Sequence, residues 1–439
     1  MFGLDTKLAV GAVLLILVIL VAGCTQQQQA ADSLKIGVVA SMTGSASTTG
    51  KDIWQSAVLA AEEINADGGI YIANLGKKVP VEVILGDDES TREGGQKAVT
   101  RLVTEDKVDL LVGGFSSAVV SSHQAIVNEH QVPYIVTGAS SPIITQRTDM
   151  PTSTTFHYCP TTDDYGRQTT LFANEVIRPA INERFGFSAE RPLRMALIYQ
   201  DSPYGKGVQT AVMNTIEQED LPVIIVANET FKMGETDFRT LLTSVKAAKP
   251  DVIYPATFIN EQIPLVTQAR RDVGINAIFL AVECNDDPDY YSGVGQYGDY
   301  SIIESRFSPY AIPPGTIANN TSQFKEDFEK RWGGFPGMMG ASTYEGVYIA
   351  VKAVEDAGTQ DKAAVVTALQ SLEMPEIIEE MEGDVIRFTP DFREAKFDLY
   401  MEQLRWNESA GNLRPVIVWP DHLKEGDFIL PDWFEATPV

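Results

Sequence analysis

Three loops dominated by glycine and small hydroxyl residues carry the first chemistry that this sequence offers: Ser41-Met42-Thr43-Gly44-Ser45-Ala46-Ser47-Thr48-Thr49-Gly50, Gly113-Gly114-Phe115-Ser116-Ser117 and Thr137-Gly138-Ala139-Ser140-Ser141. Each follows a short apolar run and opens an amphipathic segment. Each therefore presents hydroxyls and unpaired backbone N–H groups at the positive end of a helix. Such a surface suits a small anion, a carboxylate in particular. Ser117 and Thr49 are also good helix caps, and capping alone accounts for either taken singly. Three such loops in one half of the chain argue for a shared ligand. The later half offers different groups at equivalent places: Tyr204 behind Gln200-Asp201-Ser202-Pro203, Phe258 behind the apolar run 252–254, and Glu283 behind Phe279-Leu280-Ala281-Val282. Glu283 alone reads equally well as a surface acid. Together the two sides would hold a molecule that carries both a carboxylate and an ammonium.

Signals for catalysis were tested and fail. The stretch from Gly44 to Lys51 and Asp52 has one residue too many between its glycines for a phosphate loop, and Asp52 stands where a metal-binding hydroxyl is needed. Gly114-Phe115-Ser116-Ser117-Ala118 begins like a nucleophile elbow but lacks its closing glycine, and none of the four histidines (His123, His130, His157, His422) lies in a motif that would partner a serine. Asp286-Asp287-Pro288-Asp289 lacks the alternating ligands and central glycine of a calcium loop and reads as a solvated turn. The expectation is a binding protein, not an enzyme, with no metal and no cofactor.

The elements that must position these loops are legible from periodicity. Apolar runs at 34–40, 81–85, 110–112 and 134–136 read as buried strands, with helices between them; Trp54, Ala57, Val58, Ala61 and Ile64 recur at helical spacing up to Gly68-Gly69. A second series has strands near 195–199, 223–226, 252–254 and 278–281 and helices near 207–218, 237–248 and 261–273. Strict alternation implies an α/β fold with mainly parallel sheets covered by helices on both faces. In a parallel sheet the three hydroxyl loops fall at the carboxyl edge, where ligands bind. The segment 156–164 has no periodicity and reads as a crossover between the two series. A break at 308–315 is followed by helices near 323–332, 343–357 and 363–372 and by two last strands, 398–406 and 415–419.

The N-terminus sets the address. Residues 8–22 are apolar or small, follow Lys7, and end in Val21-Ala22-Gly23-Cys24. A run of about 15 residues fits a secretory signal, whereas a membrane span needs about 20. Cleavage before Cys24 would leave it as a lipidation site, with 25–32 as a polar tether; an uncleaved anchor is the alternative. The remaining body, about 400 residues, is too long for one ordinary core and suits two lobes. With 34 Lys plus Arg against 60 Asp plus Glu, the formal charge of -26 excludes a nucleic-acid partner. Of three cysteines, Cys159 and Cys284 remain, and sequence leaves their pairing open.

Ile36-Gly37-Val38-Val39-Ala40-Ser41-Met42-Thr43-Gly44, the stretch Ala60 to Ile70, Thr137 to Pro142 and Tyr204-Gly205-Lys206-Gly207 resemble, in order and spacing, the leucine/isoleucine/valine-binding family of extracellular solute receptors. The likeness runs from about Ser33 to Trp433. It implies a type I periplasmic-binding fold, two lobes joined by three crossovers, closing on a ligand and delivering it to ABC permease subunits. The lobes would comprise 33–157 plus 308–394, and 158–307 plus 395–439. Together with the N-terminal reading, the expectation is a monomer on the outer face of the cell membrane, held there through lipid on Cys24. Carried over by position, Ser117 and Ser140 would hold the ligand carboxylate, Ala139 would offer its carbonyl to the ammonium, and Glu283 would be the ammonium-binding acid. Tyr204 and Phe258 would enclose the side chain, with help from Met339. Thr49 stands where the best-known members place an aromatic, and Ser116 stands at one of the family's disulfide positions. An amino acid, branched-chain or other, is the expected ligand. Amides, ureas and aromatic acids are the alternatives, and a ligand-sensing ectodomain is the alternative role.

Overall fold

The computed structural model describes residues 33–315 and 317–438; the apolar segment 1–24 with Cys24 and the tether 25–32 lie outside the described residues. The first half of the chain forms β1 (Leu34–Ala40), a small hairpin of β2 (Ile70–Ile72) and β3 (Lys77–Val79), then β4 (Val81–Asp87), β5 (Leu110–Gly113), β6 (Tyr134–Val136) and β7 (Thr155–His157). Five of these build one parallel sheet in the order β4-β1-β5-β6-β7. Its side chains alternate between two cores. Ile36 and Val38 join the layer of the helices Ser47–Ala66 and Met338–Ala357, whereas Val39, Leu111 and Tyr134 join Val99, Leu102, Val120 and Val127 on the other face. Burial on both faces explains why these strands are nearly all apolar. Each such side chain contributes about 1.5–3 kcal/mol.

The second half repeats the plan with β8 (Leu193–Gln200), β9 (Val223–Phe231), β10 (Val252–Ala256), β11 (Ile278–Ala281) and β12 (Ile302–Ser305). After a two-strand ladder, β13 (Met374–Pro375) with β14 (Val385–Ile386), the strands β15 (Tyr400–Asn407) and β16 (Asn412–Trp419) extend the second sheet as antiparallel neighbours. Its order is β16-β15-β12-β11-β10-β8-β9. In both sheets the strand order reverses beside the first strand laid down, β1 or β8. The loops that leave the carboxyl ends at that reversal face a crevice, the usual ligand position in this architecture. The chain passes between the sheets after His157, after Ser305 and again before Tyr400. Helices Ala318–Trp332 and Met338–Ala357 pack back onto the first sheet's helix Ser47–Ala66.

Sequence periodicity missed three things here. The stretch 156–164, read as an aperiodic crossover, holds the end of β7 and the start of the helix Thr162–Phe172. β7, Thr155-Phe156-His157, has one apolar residue between two polar ones and so shows no apolar run, and the helix begins with polar residues behind a capping box of Thr161 and Asp164. β12, Ile302-Ile303-Glu304-Ser305, was missed because half of it is polar, and the hairpin β2-β3 carries exposed lysines that hide its pattern. Cys159 and Cys284 are both buried and both free.

Candidate functional site

The lobes are shut on one another at the carboxyl edges. Thr48 Oγ1 donates to Asn260 Oδ1 at 3.1 Å, Asn260 Nδ2 donates to the Ser45 carbonyl at 2.8 Å, and Met338 N donates to the Asp286 carbonyl at 3.0 Å. Between them lies a narrow pocket lined by residues of both halves. From the first come Phe115, Gly138, Ser140 and Met339, and from the second Tyr165, Tyr204, Phe258, Val282, Glu283 and Cys284.

Each wall has a local cause. Gly113 and Gly114 take φ of 99° and 84°, and a Cβ on Gly114 would stand 2.2 Å from the Tyr134 hydroxyl oxygen, so only glycine turns β5 sharply enough to present Phe115. Gly138 is held to its size by Met339 Sδ and Phe115, each about 3 Å from where its Cβ would be. On the opposite wall Glu261 anchors the Phe258 loop: its carboxylate accepts from Phe258 N at 3.0 Å, Gly234 N at 2.7 Å and Gln200 Nε2 at 2.5 Å. The Phe258 ring then stacks on Tyr204 at 5.6 Å and meets Phe115 across the cleft at 4.5 Å.

Of the residues singled out in the sequence, Ser140, Tyr204, Phe258, Glu283 and Met339 come together around this cavity; Ser117, Ala139 and Thr49 do not line it. The reasons are specific. Ser117 Oγ accepts from Ser141 N at 3.1 Å, so it stands behind the loop that carries Ser140. The Ala139 carbonyl is turned to His157 Nε2, 2.8 Å away, and Gly138 takes the lining position. Thr49 is buried in the first turn of its helix, and its neighbour Thr48 reaches across the cleft instead.

Glu283 is 1% exposed and already has donors at both oxygens: the Tyr165 hydroxyl at Oε1 and Arg306 Nη1 at Oε2. Arg306, fully buried just past β12, also donates from Nε to Glu379 Oε1 at 3.1 Å and from Nη2 to Ser342 Oγ at 2.7 Å, and its guanidinium lies over the Phe397 ring. Burial pushes the Glu283 carboxyl up to about 7, against the pull of Arg306 and the Tyr165 hydrogen bond. Sequence reasoning missed Phe115, Tyr165 and Arg306. Phe115 lay inside a loop already marked, and the capping box at Thr161 could have flagged the helix bearing Tyr165. Nothing local marks Arg306, whose partners come from positions 283, 342 and 379.

Chemically, the site can pair a donor-rich loop with a buried acid across an aromatic box. Among the described residues no group of acids, histidines and cysteines is arranged to hold a metal. Nor is any described helix long and apolar enough to cross a membrane.

Comparison with known proteins agrees with this architecture. An amino acid binding protein of Pseudomonas aeruginosa is 28% identical over 353 residues, which is 80% of this chain and 85% of that one. A leucine-binding protein of Thermotoga maritima superposes with a TM-score of 0.71 at 20% identity, covering 89% of this chain and all of the other. A solute-binding protein of R. palustris in complex with benzoate superposes with a TM-score of 0.69 at 16% identity, covering 89% and 99%. At those identities the two structures share the fold: two α/β lobes of the type I periplasmic-binding kind. The model of the periplasmic binding protein family matches residues 33–411. The chain belongs to the periplasmic binding protein family.

Proposed function

We propose that this chain is the extracytoplasmic solute receptor of an ABC importer and that it captures a small zwitterion, an amino acid, between its lobes. One observation carries the reading: a narrow interlobe pocket in which the hydroxyl loop of the first lobe, Gly138 and Ser140, faces a buried acid, Glu283, of the second. The Ser140 hydroxyl and neighbouring backbone N–H groups would meet the carboxylate, with Ser117 holding their loop. Phe115, Tyr204, Phe258 and Met339 would pack on the side chain. A ligand that touches both lobes stabilises only the closed form, the form a permease reads. Cys24 would carry the lipid that keeps the receptor at the membrane, and Cys24→Ala should abolish lipid labelling; unchanged labelling would refute the anchor.

A second reading, an aromatic acid without an ammonium, is favoured by the donors that already occupy both oxygens of Glu283 and by the four aromatic rings around the cavity. Calorimetry tests the first reading directly. Ser140→Ala should weaken binding of an amino acid about ten- to a hundred-fold through loss of a charge-assisted hydrogen bond. Equal affinity for wild type and variant would remove Ser140 from the site.

A further inference from the structure

The acid wall of the cavity is short of positive charge. Arg306 is shared by Glu283 and Glu379, and Glu345 backs Glu379, accepting from Ile378 N at 2.6 Å, from Glu379 N at 3.1 Å and from the Tyr158 hydroxyl. All three carboxyls and the guanidinium are buried. Glu379 Oε2 receives no N–H, and the group beside Glu379 that can donate is the protonated Glu345 carboxyl. The other groups felt from the packed elements add no cation: Cys159 on the first crossover, Tyr165 on the helix Thr162–Phe172, Cys284 beside Glu283, and Glu304 on β12. Burial and the adjacent Glu379 hold the Glu345 carboxyl well above its ordinary value, so Glu345 keeps a proton and Glu283 and Glu379 are left sharing one guanidinium in a water-poor interior, an arrangement one cation short.

We propose that ligand capture is coupled to proton release: the empty receptor holds a proton on the Glu283 carboxyl, and the ammonium of an arriving amino acid displaces it. The step balances. Glu283 gives its proton to solvent, its carboxylate pairs with the ligand's –NH3+, and the ammonium supplies the second cation that the Glu283–Arg306–Glu379 chain lacks. Arg306 acts as a positioning and specificity residue, because it holds Glu283 at the cavity and sets how much charge the ligand must bring. The inference rests on the zwitterion reading above. The position of the Glu283 carboxyl, raised to about 7 by burial, places the exchange in the neutral range.

The test uses the full-length protein, the tightest binder among the twenty standard amino acids, and the deaminated acid of that amino acid. Calorimetry at pH 7 in two buffers of different ionisation enthalpy should show a substantial fraction of a proton released per amino acid bound and none for the deaminated acid. The preference for the amino acid over its deaminated analogue should grow nearly ten-fold per pH unit up to about 7 and then level off. Taking that ratio cancels groups that act on lobe closure for both ligands alike, including the acid pair Asp52 and Asp287 at the lobe boundary. In Glu283→Gln both the proton release and the pH dependence of the ratio should vanish. If that variant does not fold, the wild-type measurements still decide. An amino acid that binds with no proton release and a ratio flat from pH 5.5 to 8.5 overturns the coupling while leaving the zwitterion reading intact. Failure of all twenty amino acids to bind overturns both.

Discussion

Phe115 and Phe258 meet across the cleft, so their contact exists only when the lobes are closed, and a double-mutant cycle should isolate it. The centroids are 4.5 Å apart with the planes inclined at 46°, and Phe258 also stacks on Tyr204 within its own lobe. Phe258→Ala therefore removes two kinds of contact. The part made inside the second lobe lowers folding stability in open and closed forms alike, within a total of about 3–5 kcal/mol for a buried Phe→Ala change. The part made with Phe115 acts on closure alone, and an aromatic pair of this geometry is worth about 0.5–1.5 kcal/mol beyond burial, or about two- to twelve-fold in the closed-to-open ratio. Calorimetric affinities for one amino acid should be measured on wild type, Phe115→Ala, Phe258→Ala and the double variant. The expected coupling is about 0.5–1.5 kcal/mol in ligand affinity. Effects that simply add in ligand affinity would refute the claim that these rings form part of a ligand-stabilised closed state.

Gly50 has no room for a side chain: a Cβ there would lie 1.9 Å from the Ser41 carbonyl oxygen. Gly50→Ala should cost about 1–3 kcal/mol or more in denaturant unfolding, and an unchanged midpoint would contradict this packing. Buried acids should make the empty protein less stable as pH rises. Glu283 moves from 4.5 to about 7 and Asp287 from 3.8 to about 7, so the folded state holds protons that the unfolded chain has lost. For carboxyls raised in this way, stability is full below the unfolded value and drains away as pH climbs from about 4.5 to about 7, by about 3 kcal/mol for Glu283 alone. Melting without ligand should thus occur at lower temperature at pH 8 than at pH 5, and the opposite order would contradict it. Cys159 and Cys284, buried and unpaired, should resist a thiol reagent until denaturant is added. Reaction in the native state would show that the cleft opens past them.

Much of the fold was legible because burial on two faces leaves a plain signature. The strands β1, β4, β5 and β6 appear as apolar runs, and the glycine-marked loops behind them announce the carboxyl edge. What stayed hidden has physical causes. β7 and β12 carry polar residues that break the apolar run, and polar first turns disguised the helix that carries Tyr165. At the site, residue type was read well but direction was not. Ala139, Ser140 and Ser141 are three small residues in a row, and only backbone geometry decides that Ser140 faces the cavity while the Ala139 carbonyl turns to His157. Glu283 was legible as an acid in the right place. Its pairing with Arg306 was not: Arg306 lies 23 residues on, just past β12, the parallel neighbour of β11, and β12 itself went unread.

The central claim is that a small solute is held between the lobes by Ser140 on one side and Glu283 on the other, and a crystal structure of the protein with its tightest-binding amino acid tests it most directly. The account predicts one molecule in the interlobe cavity, its carboxylate on the loop Thr137 to Ser141, its ammonium within hydrogen-bond distance of Glu283, and its side chain between Phe115, Tyr204 and Phe258. A bound molecule with the opposite polarity, or one seated outside this cavity, would contradict it.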